Sequence, residues 1–162
     1  MRHFYRDCRL GGLLVALVAL AAVPIDLAGE DMAQAIADFG VTDLPVRSVR
    51  TLATTACHAQ VRQAMAQGET WPRQAIFVAL RCIGADLRGH TTVIEIKTPP
   101  ESQETAVVTV TATGFLDDAV AGERWRLWLA KKPDGAWTVT RVLWANLCSR
   151  LGQRFYAAEP CP

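Results

Sequence analysis

The chain has 162 residues, enough for one domain and short for two, with 51% apolar and 20% charged residues. That balance excludes disordered, collagenous and low-complexity classes. Seventeen Lys and Arg against sixteen Asp and Glu leave a net charge of +1, neither a basic footprint for nucleic acid nor an acidic field for a cationic partner.

Residues 1–9 carry Arg2, Arg6 and Arg9 against Asp7, and residues 10–23 follow without a charge. The run is shorter than the about 20 apolar residues of a spanning helix. A charged start, a short apolar core and small residues after it describe a secretory signal, with Ala19-Leu20-Ala21 as the small-x-small cleavage site. Ala33-Gln34-Ala35 is a second, more distant site. The expected organisation is a signal peptide over residues 1–21, or an uncleaved anchor reaching about residue 29, then one disulfide-stapled domain over 30–162. Cys8 falls in the signal, which leaves Cys57, Cys82, Cys148 and Cys161 for an oxidising, periplasmic or secreted setting. Of the three pairings of four cysteines, Cys57–Cys82 and Cys148–Cys161 close the shortest loops within single units.

A short helix is expected over residues 32–39 and a connector over 40–45. Residues 51–67 repeat Leu52, Ala56, Ala59, Val61, Ala64 and Met65 on or beside one helical face, with Gly68 as the stop. Residues 72–87 read as a second helix, with Pro72 in the first turn and Gly89 at the end. Cys57 and Cys82 would staple the two as a hairpin. Strand signals follow. Residues 91–98 set Ile94 and Ile96 against Val93, Glu95 and Lys97, and residues 105–115 set Ala106, Val108, Val110 and Ala112 against a threonine-rich face. Residues 123–130 place Trp125, Leu127 and Leu129 opposite Arg124, Arg126 and Trp128. The Pro133-Asp134-Gly135 turn leads into a last strand over 137–147, giving a hairpin, and residues 149–162 read as an irregular tail returning to Cys161. Helices followed by strands predict an α+β fold, a helical hairpin packed on an antiparallel sheet of about four strands.

Residue types that carry chemistry are sparse. Cys57, His58, Cys82 and His90 lack the close spacing of a zinc set. Cys57 and His58 are neighbours on a helix and diverge by about 100°, so His58 is badly placed to activate a thiolate. Asp117, Asp118 and Glu123 surround one loop without the alternating pattern of a calcium site, and read as a solvated turn. Glycine-rich phosphate loops, nucleophile elbows and metalloprotease signatures are absent from the sequence, and no cofactor is implied.

The aromatic pattern says more. Four of the five tryptophans lie between Trp125 and Trp144 on two strands joined by a tight turn. Strict alternation sends Trp125 and Trp137 into the core and puts Trp128 and Trp144 on the opposite face with Arg126, the residue types enriched at binding hot spots. The competing expectation is that this face is covered by the protein's own N-terminal segment or by the tail after Cys148.

The stretch from Trp137-Thr138-Val139 to Leu147-Cys148, followed by Gly152-Gln153-Arg154 and Cys161, resembles the ending of small exported bacterial proteins of unknown function. In those, a final strand runs into a disulfide-closed tail. The two-helix, four-strand order also resembles the cystatin-like or nuclear-transport-factor-2-like architecture, in which a curved antiparallel sheet wraps a helix. That fold hosts binding modules and some isomerases, so the resemblance does not choose between them. The favoured expectation is an exported, non-enzymatic binding or accessory domain for a protein or small ligand of the cell envelope, using Arg126, Trp128 and Trp144. Nucleic acid is not an expected partner, and the membrane is one only through an uncleaved N-terminal segment. The alternatives are a membrane-anchored subunit of an envelope assembly and a small hydrolase or isomerase using Asp86, Glu95 or His90.

Overall fold

Nine residues of alternating pattern set the centre of the molecule. In the computed structural model, which describes residues 32–40, 42–84, 89–150 and 152–162, the strand Thr105–Thr113 (β3) buries Ala106, Val108, Val110 and Ala112 on one face, as its pattern predicts. The expected signal, its cleavage site at residue 21, Asp86 and Leu87 lie outside the described residues.

Around β3 the chain is α+β, three helices packed on a six-stranded sheet. The helices are α1 (Met32–Phe39), α2 (Thr55–Ala66) and α3 (Ala75–Cys82). The other strands are β1 (Arg50–Thr51), β2 (Thr91–Lys97), β4 (Val120–Lys131), β5 (Trp137–Arg150) and β6 (Gln153–Ala157). The order is β1-β5-β4-β3-β2, and every strand pair is antiparallel. β5 is long enough to pair β1 at residues 143–144 and β6 at residues 146–150 along the same edge.

The sheet therefore has more strands than the about four expected. The additions are β1, which takes in Thr51 of the expected first hairpin helix while α2 starts only at Thr55, and β6 from the tail. The tail expected to be irregular turns at Gly152, whose φ of +76° suits glycine, and returns as β6 with Phe155 and Tyr156 buried. The second hairpin helix is shorter than expected. Trp71–Arg73 forms one 3-10 turn, Gln74 is extended (φ −125°, ψ 114°), and α3 starts only at Ala75. Gly84, at φ +63°, follows the C-cap Ile83 in the left-handed position that stops a helix, before Gly89 is reached.

α2 and α3 cover one face of the sheet. Their Cys57, Val61, Val78 and Ala79 pack on the β3 row, on Trp125, Leu127 and Leu129 of β4, and on Trp137, Val139 and Val142 of β5. Both short-range cysteine pairs are joined: Cys57–Cys82 ties α2 to α3 with Cα atoms 4.9 Å apart, and Cys148–Cys161 ties β5 to the tail at 5.3 Å. On the other face, α1 packs on β5 and reaches Trp128 and Arg124 of β4. Its Ala35 and Phe39 pack with Val49, Leu143, Ala145, Leu147 and Tyr156, and Phe39 meets the Tyr156 ring edge-on at 5.7 Å. β3 and β4 are partly covered on that side, with Thr109 buried, and β2 is exposed along its whole length.

Candidate functional site

Thr140 is an extra residue in β5, and it decides where the tryptophans go. Leu129 lies opposite Val139 and Trp128 opposite Arg141, so Thr140 has no partner of its own across the strands. Its hydroxyl donates to the Trp128 carbonyl at 3.2 Å. Beyond this bulge the alternation of β5 is reversed. Val142 and Trp144 rejoin Leu127 and Trp125, their direct cross-strand neighbours, on the α2/α3 face.

Trp128 and Trp144 therefore do not share a face, contrary to the alternation drawn through residues 137–147. Trp144 borders the helical core, its indole donating to Glu123 at 3.4 Å and Arg50 standing 5.6 Å from its ring. Trp128 lies on the α1 side, partly covered. Part of that side, over β5, is covered by α1. The remainder is open.

The open part is a cleft of about 470 Å³ lined by Ala37, Asp38, Gly40, Glu95, Lys97, Thr109, Arg124, Arg126 and Trp128. Alternation along β4 brings Arg124, Arg126 and Trp128 to this face, and pairing to β3 sets Thr111 opposite Arg124 and Thr109 opposite Arg126. The pairing of β2 with β3 adds Glu95 opposite Thr109. Arg141, across from Trp128, is brought in by the register of β5.

The four cations differ in what compensates them. Arg141 pairs with Asp38 of α1, and that bond, with a second from Gln34, holds the Asp38 carboxyl below the usual carboxylate range. Arg124 donates to the Thr111 hydroxyl at 3.2 Å and to the Tyr156 phenol, and stands 5.6 Å from the Phe39 ring. Burial pushes the Tyr156 phenol up, so that partner is neutral. Lys97 is at the exposed end of β2. Arg126 keeps its Nε buried without an acceptor among the described residues, as Arg124 does, while the Asp38 and Glu95 carboxylates act on its charge from a distance. The Arg126 guanidinium carbon lies 5.5 Å from the Trp128 ring, which Arg141 also approaches at 5.0 Å. Burial and the Arg124 charge lower its pKa from the ordinary guanidinium value.

Gly40, at φ +92°, ends α1, and a Cβ there would run into the Arg126 guanidinium. A cation is thus held half-buried beside a glycine that leaves it room, facing a cleft. A smaller cleft of about 350 Å³ adjoins it, shares Glu95 and Arg124, and adds Asp43 and Tyr156. A hollow of about 510 Å³ lies elsewhere, by the Phe115–Val120 loop. Its Asp117 accepts the amides of Ala119 and Val120 at 2.8 and 2.7 Å, which closes that loop and lowers the carboxyl's pKa.

The other sequence candidates have structural occupations. Cys57 is in a disulfide, and His58 Nε2 donates to the Val139 carbonyl at 2.6 Å, fastening α2 to β5. His90 is exposed and stands against Gly114. Glu95 alone among the suggested acids lines the cleft, and Asp86 is outside the described residues. No group of three His, Cys, Asp or Glu is gathered to hold a metal ion among the described residues. Arg126 and Trp128 were legible as neighbours on one face. Asp38, Gly40 and Arg141 enter the site through α1 and the β5 register, which alternation does not report. Compared with family models, curated proteins and solved structures, the chain matches none.

Proposed function

We propose that the chain is an exported, non-enzymatic binding domain of the cell envelope, periplasmic or secreted, and that its ligand occupies the Arg126–Trp128 cleft. The observation that carries this reading is the Arg124–Arg126 pair facing a concavity, each with its guanidinium Nε buried without an acceptor among the described residues. Keeping such a group buried costs stability unless something pairs with it. A volume of about 470 Å³ is within the range of small-molecule sites and too small for an extended protein interface, which favours a small ligand over a protein partner. Export is supported by the arginine-led apolar N-terminus and by two disulfides that suit an oxidising compartment. Within this reading the architecture is of the cystatin-like or nuclear-transport-factor-2-like kind, a sheet whose open face receives the ligand. Trp144 has no part in the site.

Thermal melts against a panel of small envelope solutes test the binding claim. A ligand at about 100 times its Kd adds about 2.7 kcal/mol of stability. The expected result is a rise in Tm for one chemical class, lost in Trp128→Ala. Ligands that stabilise wild type and Trp128→Ala equally would remove the site. Intact mass of the exported protein tests the leader, with a mature start near Ala22 expected and a full-length mass pointing instead to an anchored subunit.

A further inference from the structure

We propose that the Arg126–Trp128 cleft takes a small aliphatic dicarboxylate. This rests on the binding reading above and names the chemistry of the ligand. The charge on the lining decides its valence. Arg141 and Asp38 neutralise one another. That leaves Lys97, Arg124 and Arg126 against Glu95 in the cleft, an excess of two positive charges. The hydroxyl partners of Arg124, Thr111 and Tyr156, are uncharged and leave its charge uncompensated. Asp43, the further carboxylate nearby, lines the adjoining cleft and not this one. A dianion balances the excess, and a monoanion leaves half of it.

The spacing separates two carboxylates from a single phosphate. Arg124 and Arg126 are two residues apart on one face of β4, about 6.8 Å along the strand. Two guanidinium groups rooted at that spacing, one turned toward Phe39 and the other toward Trp128, suit two oxyanions carried on a short methylene chain better than one compact tetrahedral ion. Guanidinium forks also match carboxylates in geometry. Ala37 and the Trp128 ring line the same cleft and offer the methylene spacer an apolar wall. Thr109, opposite Arg126, is buried with its hydroxyl in the lining and adds a donor. Gly40 keeps the Arg126 guanidinium in place, since any side chain there would displace it.

Isothermal titration calorimetry at constant ionic strength tests this on the wild-type protein with four probes: succinate, glutarate, acetate and inorganic phosphate. Succinate or glutarate should bind at least about tenfold more tightly than acetate and phosphate. Added salt should weaken binding, and Arg126→Met should reduce it by about tenfold or more. Thr109→Asp, which places a carboxylate opposite Arg126 within the protein itself, should abolish it. Phosphate or acetate binding as tightly as the dicarboxylates would overturn the proposal, as would no binding of either dicarboxylate at about 10 mM, a range far weaker than functional sites. These selectivities are read on the wild type and do not depend on a variant folding. If the dicarboxylates fail while another solute still stabilises the protein in a Trp128-dependent way, the ligand class is wrong and the binding reading stands. If no solute depends on Trp128, both fall.

Discussion

Leu127 and Trp128 are adjacent on β4 and belong to two different environments. Leu127 is fully buried under α2 and α3, in a core of aliphatic and tryptophan side chains reinforced by the Cys57–Cys82 bond. Trp128 is on a face where α1 packs on β5 and the rest is a cleft with an excess of positive charge. One side of the sheet has its polar groups removed or paired. The other keeps the Nε atoms of Arg124 and Arg126 buried without an acceptor among the described residues, a cost in stability that the proposed ligand would offset. On the proposed reading, stability belongs to the helical side and recognition to the α1 side.

Neighbouring substitutions on β3 offer the strongest way to break that contrast. Val110 is fully buried on the helical side, and Val110→Asp puts a charge where no partner exists. An uncompensated buried charge costs about 3–5 kcal/mol, a large part of a small domain's stability, so the cooperative thermal transition should be lost or strongly lowered. Thr109 is one residue away, opposite Arg126. Thr109→Asp should keep a cooperative melt within about 5 °C of wild type, because the new carboxylate has a cation to meet. Equal damage from both would show that the cleft side is structural core.

A milder comparison uses β4 itself. Leu127→Ala should lower stability by about 2–5 kcal/mol in denaturant unfolding. Trp128→Ala should cost less, since the ring is only partly covered, while removing ligand stabilisation. Trp144→Ala should affect stability without affecting ligand. A loss of binding in Trp144→Ala would place recognition on the helical side after all.

What alternation reports is the helical side, and the reason is physical. Residues 105–113 and 125–129 alternate cleanly because one face of each is covered by helices and the other is polar. β5 does not, because α1 and the helices bury it from both sides beyond Arg141, so Val142, Leu143, Ala145 and Leu147 are all apolar or small and buried. Period-two counting has no information there about a one-residue slip, and the bulge at Thr140 goes unseen. The trace it leaves is a shift in which aromatic and β-branched residues stand two apart, Trp137 and Val139 before it, Val142 and Trp144 after it. The short loops between cysteines made both pairings legible without any of this. The cleft was half legible: Arg124, Arg126 and Trp128 follow from β4 alone, while Asp38 and Gly40 depend on where α1 docks.

The two disulfides sharpen the comparison further. Cys57–Cys82 spans 25 residues on the helical side, and Cys148–Cys161 spans 13 at the tail. In the loop-entropy picture a bridge of this size stabilises by about 3 kcal/mol, and the longer loop adds about 0.6 kcal/mol over the shorter. Replacing Cys57 and Cys82 by Ser should therefore lower Tm slightly more than replacing Cys148 and Cys161. Non-reducing peptide mapping should recover these two pairs. A bridge from either helix to the tail would contradict the fold.

The smallest expected effect concerns acid. The Asp38 carboxyl is held below its ordinary range by hydrogen bonds from Arg141 and Gln34, Asp117 by the amides of Val120 and Ala119, and Glu159 by the Ser48 hydroxyl. A carboxyl whose folded pKa is depressed binds protons more readily when unfolded. Its contribution is complete above the unfolded value, about 4, and is lost as pH falls through the folded value beneath it. Melts should therefore be flat from neutral pH down to about 5 and decline below about 4. Asp38→Asn should remove one part of that decline, and its effect at neutral pH should be small because the half-buried pair with Arg141 is still partly screened by solvent. The same change separates the two faces. It removes the Asp38 charge beside Arg141 and raises the positive charge beside Trp128, so anion binding should tighten while the helical core is untouched. Weaker anion binding in Asp38→Asn, at unchanged stability, would mean that the ion pair positions Arg141 for the ligand rather than withholding it.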